Sequence, residues 1–425
     1  MKLITVDVES GVPAIPPAQV GEQWILVRLH GHPLGLLYPD GRGCSSQELT
    51  RLIIERHGWA IAAHLAVDGA SNATSIDDLS RLPRACPRVA AAPRAVLTAA
   101  VCTRNHASQL PECLNAIAAL DYPPHLLDVL IVDNAPEDDS TRDVAARYAS
   151  FRYVREPRPG LDWARNRAIL ECRGEIVAYT DDDVSVDAGW ARAIAAAFEE
   201  EPHAMCVTGL VVPDEIDTVA QRLFEVYGGF NRGFSRWVYR VDVDAGEHAA
   251  RSYGGTGRFG TGANMAFRRA FFEREGLFDP ALDVGTPASG GGDLEMFFRV
   301  LRAGHALVYE PAALVRHRHR RERSALRAQL ANNGIGFYAY LVRTAQAYPD
   351  QRAGIVRLAL WWMWWWNVRR LLRSFVGRSD LPRDLIVAEL TGAFKGVRRY
   401  QKSRRHAANV LRTFGAPGAL PGATS

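Results

Sequence analysis

No apolar run in the chain approaches the roughly 20 residues a helix needs to cross a bilayer, so no membrane span is expected. The six cysteines (44, 86, 102, 113, 172 and 206) contain no CxxC pair and no dense spacing. That excludes a disulfide-stapled secreted module and points to a reducing compartment. Cys102 and Cys206 lie in apolar, strand-like runs, where cysteine serves as a small buried hydrophobe. The opening segment MKLITVDVESGVPAIPP lacks the basic start and apolar core of a secretory signal, so the expectation is a cytoplasmic chain. No GxGxxG follows the first strand of the α/β region, which argues against a dinucleotide-dependent oxidoreductase.

What is present suggests three regions within 425 residues. Residues 1–92 read as a small α+β domain with no catalytic constellation. WILVRLHG and PLGLLY are its strands, and Ser45-Ser-Gln-Glu48 has capping-box spacing before a periodic helix, Leu49–Leu65. The Pro- and Arg-rich stretch Pro83–Pro93 reads as a linker. Residues 93–325 alternate strand and helix. Ala95–Cys102, Asp128–Val132, Phe151–Arg155 and Ile176–Thr180 read as strands. Leu110–Leu120, Ser140–Ala149 and Trp163–Cys172 read as helices. This order predicts a mostly parallel sheet flanked by helices, with a ligand beyond the carboxyl ends of its strands. Polar residues gather at those ends: Thr103-Arg104-Asn105, Asp133-Asn134 and Asp181-Asp182-Asp183.

Residues 326–425 read as helical and basic, with a disordered tail after Phe414. The net charge of +4 is concentrated late, in RHRHRRER at Arg316–Arg323 and RRYQKSRR at Arg398–Arg405. Leu358–Val368, LALWWMWWWNV, is too short to span a bilayer but suits a helix lying among lipid headgroups, its tryptophans beside arginines. The expected partner for this region is an anionic membrane surface.

Three adjacent carboxylates at the end of an apolar strand, in YTDDDVSVDAGW, repel one another and are costly to desolvate. A hydrated turn would relieve them, and so would a hard divalent cation shared with a substrate diphosphate. The motifs VCTRN, VDNAPEDDSTR, GLDWARNRAI, TDDD, TGANMAFRR and GGGDLEMFFRVLRAG occur in that order. Through them the chain, from about Val96 to His319, resembles the family 2 glycosyltransferases, which have the nucleotide-diphosphosugar-binding GT-A fold.

The resemblance implies an inverting transfer of sugar from a nucleotide-diphosphosugar donor to an acceptor hydroxyl on a glycan or lipid-linked glycan. It further implies that Thr103 and Arg104 line the nucleotide pocket and that Asp133 binds base or ribose. Arg165 and Asn166 would approach the diphosphate, Asp181 and Asp182 the donor, and Asn264 the sugar side. Asp183 would hold Mg2+ or Mn2+, with His317, or else His319, completing the metal site. Asp293 would be the general base, with Glu295 as substitute, because Gly292 stands where the family usually has Glu. Two other functions fit the sequence less well. Nucleotidyl transfer on a similar fold calls for a glycine-rich loop that VCTRNHASQL lacks. A non-catalytic nucleic-acid binder is opposed by the carboxylates, so no nucleic-acid partner is expected.

Overall fold

The computed structural model describes residues 3–17, 23–39, 41–69, 77–84, 86, 92–241 and 256–418. Most of the expected linker at 83–93, and the tail beyond residue 418, lie outside them.

Near the N-terminus, β1 (Ile4–Asp7), β2 (Ile25–Leu29) and β3 (His32–Leu37) form one sheet, β1 parallel and β3 antiparallel to β2. The first of these strands was not apparent in the sequence. Helix α1 (Ser46–Val67) covers the sheet through Leu49, Ile53, Ile61 and Leu65. Half of the expected capping box forms: the Ser45 hydroxyl accepts from the Glu48 N–H at 3.2 Å. Leu26 of β2 packs with Leu210, Val212 and Leu314 of the larger sheet, and Arg28 reaches Asp187 at 2.6 Å.

The larger sheet begins with the expected alternation. Its first elements are β4 (Leu97–Thr103), α2 (Leu110–Ala118), β5 (Leu127–Asn134) and α3 (Ser140–Ala145). Then come β6 (Arg152–Glu156), α4 (Leu161–Glu171) and β7 (Ile176–Asp181). Every residue of β4 is buried, as befits a central strand covered on both faces. Strands β6, β5, β4 and β7 run parallel in that order. The register pairs Thr103 with Asp133 and Cys102 with Asp181, so the polar strand exits share one edge.

Beyond β7 the sheet is mixed rather than parallel. It continues with β8 (Val184–Val186), α5 (Trp190–Glu200), β9 (Ala204–Pro213), α6 (Val219–Tyr227) and β10 (Trp237–Tyr239). Next are β11 (Asn264–Arg268), α7 (Arg269–Glu275), α8 (Gly292–Arg302) and β12 (Ala306–His317). β11 inserts antiparallel between β7 and β9, which sets Asn264 opposite Thr180 at the polar edge. β12 lies parallel to β9 and runs on to His317, where it pairs with Val184 just past the aspartates. The α/β GT-A architecture implied by the resemblance is thus the one observed, its parallel half lying where the alternation predicted it.

The C-terminal region is helical: α9 (Arg323–Ala347), α10 (Arg352–Trp362), a π-helical stretch Met363–Val368, α11 (Arg369–Phe375) and α12 (Arg383–Phe414). α9 and α12 approach closely through small residues, Gly392 lying against the backbone of Ala331. Tyr338 and Tyr340 of α9 join the core beneath α8. Among the described residues, no helix is long and apolar enough to cross a membrane.

Candidate active site at the carboxyl edge of the sheet

Asp181 ends β7, and Asp182 and Asp183 form the turn into β8. The three do not act alike. Asp182 turns back into the protein, accepting from the Thr103 hydroxyl at 2.6 Å and facing His106 Nδ1 at 3.1 Å. Asp181, Asp183 and His317 instead converge, each offering a ligand atom within 4.8 Å of the others. Burial pushes the Asp181 carboxyl up to about 7, with Asp183 adding to the rise and Arg165 opposing it. That is the behaviour of carboxylates short of positive charge. Burial lowers His317 to about 4, leaving a neutral imidazole with a lone pair. These residues are positioned to bind a metal ion, and their chemistry fits one.

Both candidate histidines take part, in different positions. His317 Nε2 lies 3.4 Å from Asp183, and its Nδ1 lies 3.3 Å from His319 Nδ1. His319 Nε2 meets Glu225 of α6 at 2.7 Å. A carboxylate only accepts, so Nε2 of His319 carries the proton and its Nδ1 accepts from His317. The lone pair of His317 Nε2 is thereby aimed at the aspartates, as an outer carboxylate–histidine pair does for a ligating histidine.

Arg165 stands behind this cluster. It is buried on α4 and donates to Asp162 at 3.0 Å and to Asp283. Burial would lower its pKa, but Asp283, Asp162, Asp181 and Asp293 together raise it well above the ordinary value. It is therefore an internal counter-charge for four carboxylates rather than a free clamp. Asp162 and Asp283 were not singled out from the sequence. Asp162 lies in the quoted GLDWARNRAI, and Asp283 adopts a left-handed φ of 66° in the glycine-rich loop before α8, whose composition reads as a flexible or plain surface segment. The loop is packed: Leu282 and Ala288 are fully buried against α9 and α12.

Asp293 opens α8, half-buried. Its Oδ2 accepts from the Gly262 N–H at 2.8 Å and its Oδ1 from the Leu294 N–H at 2.8 Å. Burial and the Asp283 charge raise its pKa, against Arg165 and the two backbone donors. Glu295, the substitute, is fully buried and bound by Arg299 and by Arg343 of α9 at 2.5 Å. It faces the C-terminal helices, not the cleft. At Gly292 a Cβ would stand 2.7 Å from Asp162 Oδ1, so the Asp162 carboxylate fills the place of the expected Glu side chain.

The remaining expected residues divide. Asp133 is buried; its Oδ2 accepts from Tyr153 at 2.6 Å while its Oδ1 has no hydrogen-bond partner. Burial raises its pKa. Arg104 is exposed at the same edge. Asn166 and Asn264 spend their amides inside the protein. Asn166 bridges the backbone of Phe278, donating at 3.0 Å and accepting at 2.9 Å. Asn264 accepts from Trp190 at 2.9 Å and donates to Leu210 and Ala313.

Residues 98–276 match the model of glycosyl transferase family 2, from β4 through the aspartates and Asn264 to the end of α7. Over this segment the chain is similar to that family. The chain is 27% identical over 218 residues to the polypeptide N-acetylgalactosaminyltransferase 13 of Rattus norvegicus, a match covering 47% of this chain and 37% of that one. It is 25% identical over 298 residues to the pre-mycofactocin glycosyltransferase of Mycobacterium tuberculosis, covering 70% of this chain and 56% of that one. It thus spans between about a third and somewhat over half of these relatives' length. A solved mannosyltransferase from Pyrobaculum calidifontis, in complex with GDP-Man and Mn2+, is similar at TM-score 0.41 and 18% identity, covering 78% of this chain and 79% of that one. Within the matched segment lie Asp133, Arg165 and the three aspartates; Asp293 and His317 come from the chain beyond it.

Proposed function

We propose that the protein is an inverting, metal-dependent glycosyltransferase using a nucleotide-diphosphosugar donor. The observation that carries this is the pairing of a metal-binding cluster, Asp181, Asp183 and His317, with a separate carboxylate, Asp293, across Arg165. Mg2+ or Mn2+ in that cluster would neutralise the donor diphosphate and stabilise it as leaving group.

The chain's own residues do the rest. The unpartnered Oδ1 of Asp133 is free to accept from a base or ribose of the donor, with Thr103 and Arg104 beside it. Asp293 is held by two backbone donors in the ionised form yet buried enough to be a stronger base than a surface carboxylate. The acceptor oxygen attacks the anomeric carbon opposite the diphosphate, forming the new glycosidic bond as the bond to phosphate breaks. The hydroxyl proton passes to Asp293, and the configuration inverts. Arg165, already bonded to Asp162 and Asp283, keeps the local charge balanced while donor and products exchange.

The acceptor side is argued from the C-terminal helices. Leu360, Trp361, Trp364, Trp365, Leu372 and Phe375 are all exposed. Arg369 lies over the Trp365 ring at 4.1 Å. An apolar, aromatic patch fringed by arginine suits the headgroup layer of an anionic membrane, which supports a peripheral location and a lipid-linked glycan acceptor. The test is direct: incubate the protein with sugar nucleotides, Mn2+ and a lipid-linked acceptor, and read the anomeric configuration of the product by NMR. An inverted linkage supports the proposal; a retained one removes Asp293 from the role of base.

A further inference from the structure

A second cluster of chemically reactive side chains, separate from the aspartates, gathers around the N-terminal sheet and helix. His30 sits in the tight turn between β2 and β3, with a left-handed φ of 53°. His64 and Asp68 occupy the last turn and the C-cap of α1. Cys86 is buried on the segment leading to β4. One ligand atom from each of the four falls within 4.8 Å of all the others.

The details fit a cation site. His30 Nε2 lies 2.7 Å from the Pro83 carbonyl, which only accepts, so Nε2 carries the proton and Nδ1 presents a lone pair. That Nδ1 is 3.1 Å from His64 Nε2 and 3.8 Å from Asp68 Oδ2, and His64 Nε2 is 3.2 Å from the same oxygen. Ligands at ordinary zinc distances and tetrahedral angles would be about 3.4 Å apart. The Asp68 side chain is only 2% exposed, and neither of its oxygens has a hydrogen-bond partner. It also sits at the negative end of the α1 dipole, where a carboxylate is unfavourable. With only two imidazoles that can be neutral beside it, burying a carboxylate that has no hydrogen bond is costly unless a cation completes the site.

We propose that His30, His64, Asp68 and Cys86 form a zinc site that clasps α1 and the β2–β3 turn to the segment entering the glycosyltransferase domain. Two imidazoles, a thiolate and one carboxylate select zinc over the hard Mg2+ or Mn2+ suited to the aspartate cluster. Four protein ligands close the coordination shell, which makes the site structural. The Pro83 carbonyl fixes the tautomer of His30, the usual outer partner of a ligating histidine. A cleft of about 540 Å³, lined by His30, His64 and Cys86 among others, gives the ion access.

The test uses the full chain, purified without chelator, with metal content read by mass spectrometry. About one zinc per chain is expected in the wild type, as for a single closed site. Zinc is lost in Cys86→Ser and His64→Ala but kept in Asp183→Ala. Should His64→Ala misfold by circular dichroism, the near-isosteric Asp68→Asn replaces it. Cobalt loaded in place of zinc should give a thiolate charge-transfer band that Cys86→Ser abolishes. Equal zinc in wild type and folded Cys86→Ser would overturn the proposal, as would zinc lost only with Asp183.

Discussion

The carboxylate of Asp162 lies where a side chain on Gly292 would have to go: a Cβ there would stand 2.7 Å from Oδ1 and 2.8 Å from Cγ. The two residues come from α4 and α8, and Asp162 is in turn bonded to Arg165. A position that departs from the family pattern is therefore filled by a carboxylate from another helix.

Gly292→Ala tests this by its sign. At an unobstructed first helical position, alanine for glycine would stabilise by about 0.4–1 kcal/mol. Here the added methyl must push Asp162 off Arg165, and overpacking of this kind costs about 1–3 kcal/mol. A lower melting temperature and about 100-fold slower transfer are expected. A higher melting temperature with normal turnover would show that Asp162 yields freely.

Metal binding should release protons near neutral pH. With no metal, Asp181 is raised to about 7 from an unfolded value near 3.9, so this group costs stability as pH rises between those values. A cation replaces the proton. Mn2+-induced stabilisation should therefore grow from pH 6 to pH 8, and calorimetry in buffers of different ionisation enthalpy should detect proton release. His317, lowered to about 4, stays neutral across that range and contributes no proton. A pH-independent Mn2+ effect would contradict this arrangement.

Glu225 and His319 should matter to the metal without touching it. Glu225→Leu, which leaves His319 Nε2–H no acceptor, or the shape-conserving His319→Phe removes the hydrogen-bond chain that aims His317. A loss of about 10–100-fold in Mn2+ affinity is expected, with the donor site otherwise intact. Unchanged affinity would mean that His317 is oriented by packing against Phe230 alone, whose ring centroid lies 5.0 Å away.

Replacing Trp361, Trp364 and Trp365 together by alanine should weaken sedimentation with anionic liposomes while leaving the melting temperature nearly unchanged, since all three rings are about half exposed. Equal sedimentation of variant and wild type would reject the membrane-facing role of this patch.

Much of the architecture was legible in the sequence because it rests on local signals. Apolar runs of strand length, each ending in a polar residue, placed β4, β5 and β7 and the edge they share. The sequence put His317 before His319, but what orients it was not legible. That orientation depends on Glu225, which α6 delivers from more than ninety residues earlier in the chain. The antiparallel entry of β11 is likewise a long-range pairing, and it turns the Asn264 amide into a brace between strands. Asp283 was hidden because a loop rich in glycine reads as mobile until α9 and α12 are seen packed upon it. The sequence put Asp293 forward as base with Glu295 as its substitute; two positions apart on a helix they face different ways, and Arg343 claims Glu295.

The most direct measurement is a thermal-shift panel of UDP-, GDP- and dTDP-sugars, with and without Mn2+, on the wild type and Asp183→Ala. A ligand at 100 times its dissociation constant adds about 2.7 kcal/mol of stability. One nucleotide class should stabilise the wild type only when Mn2+ is present, and Asp183→Ala should lose that shift. A donor shift of equal size without Mn2+, or one retained in Asp183→Ala, would contradict the metal-assisted donor site.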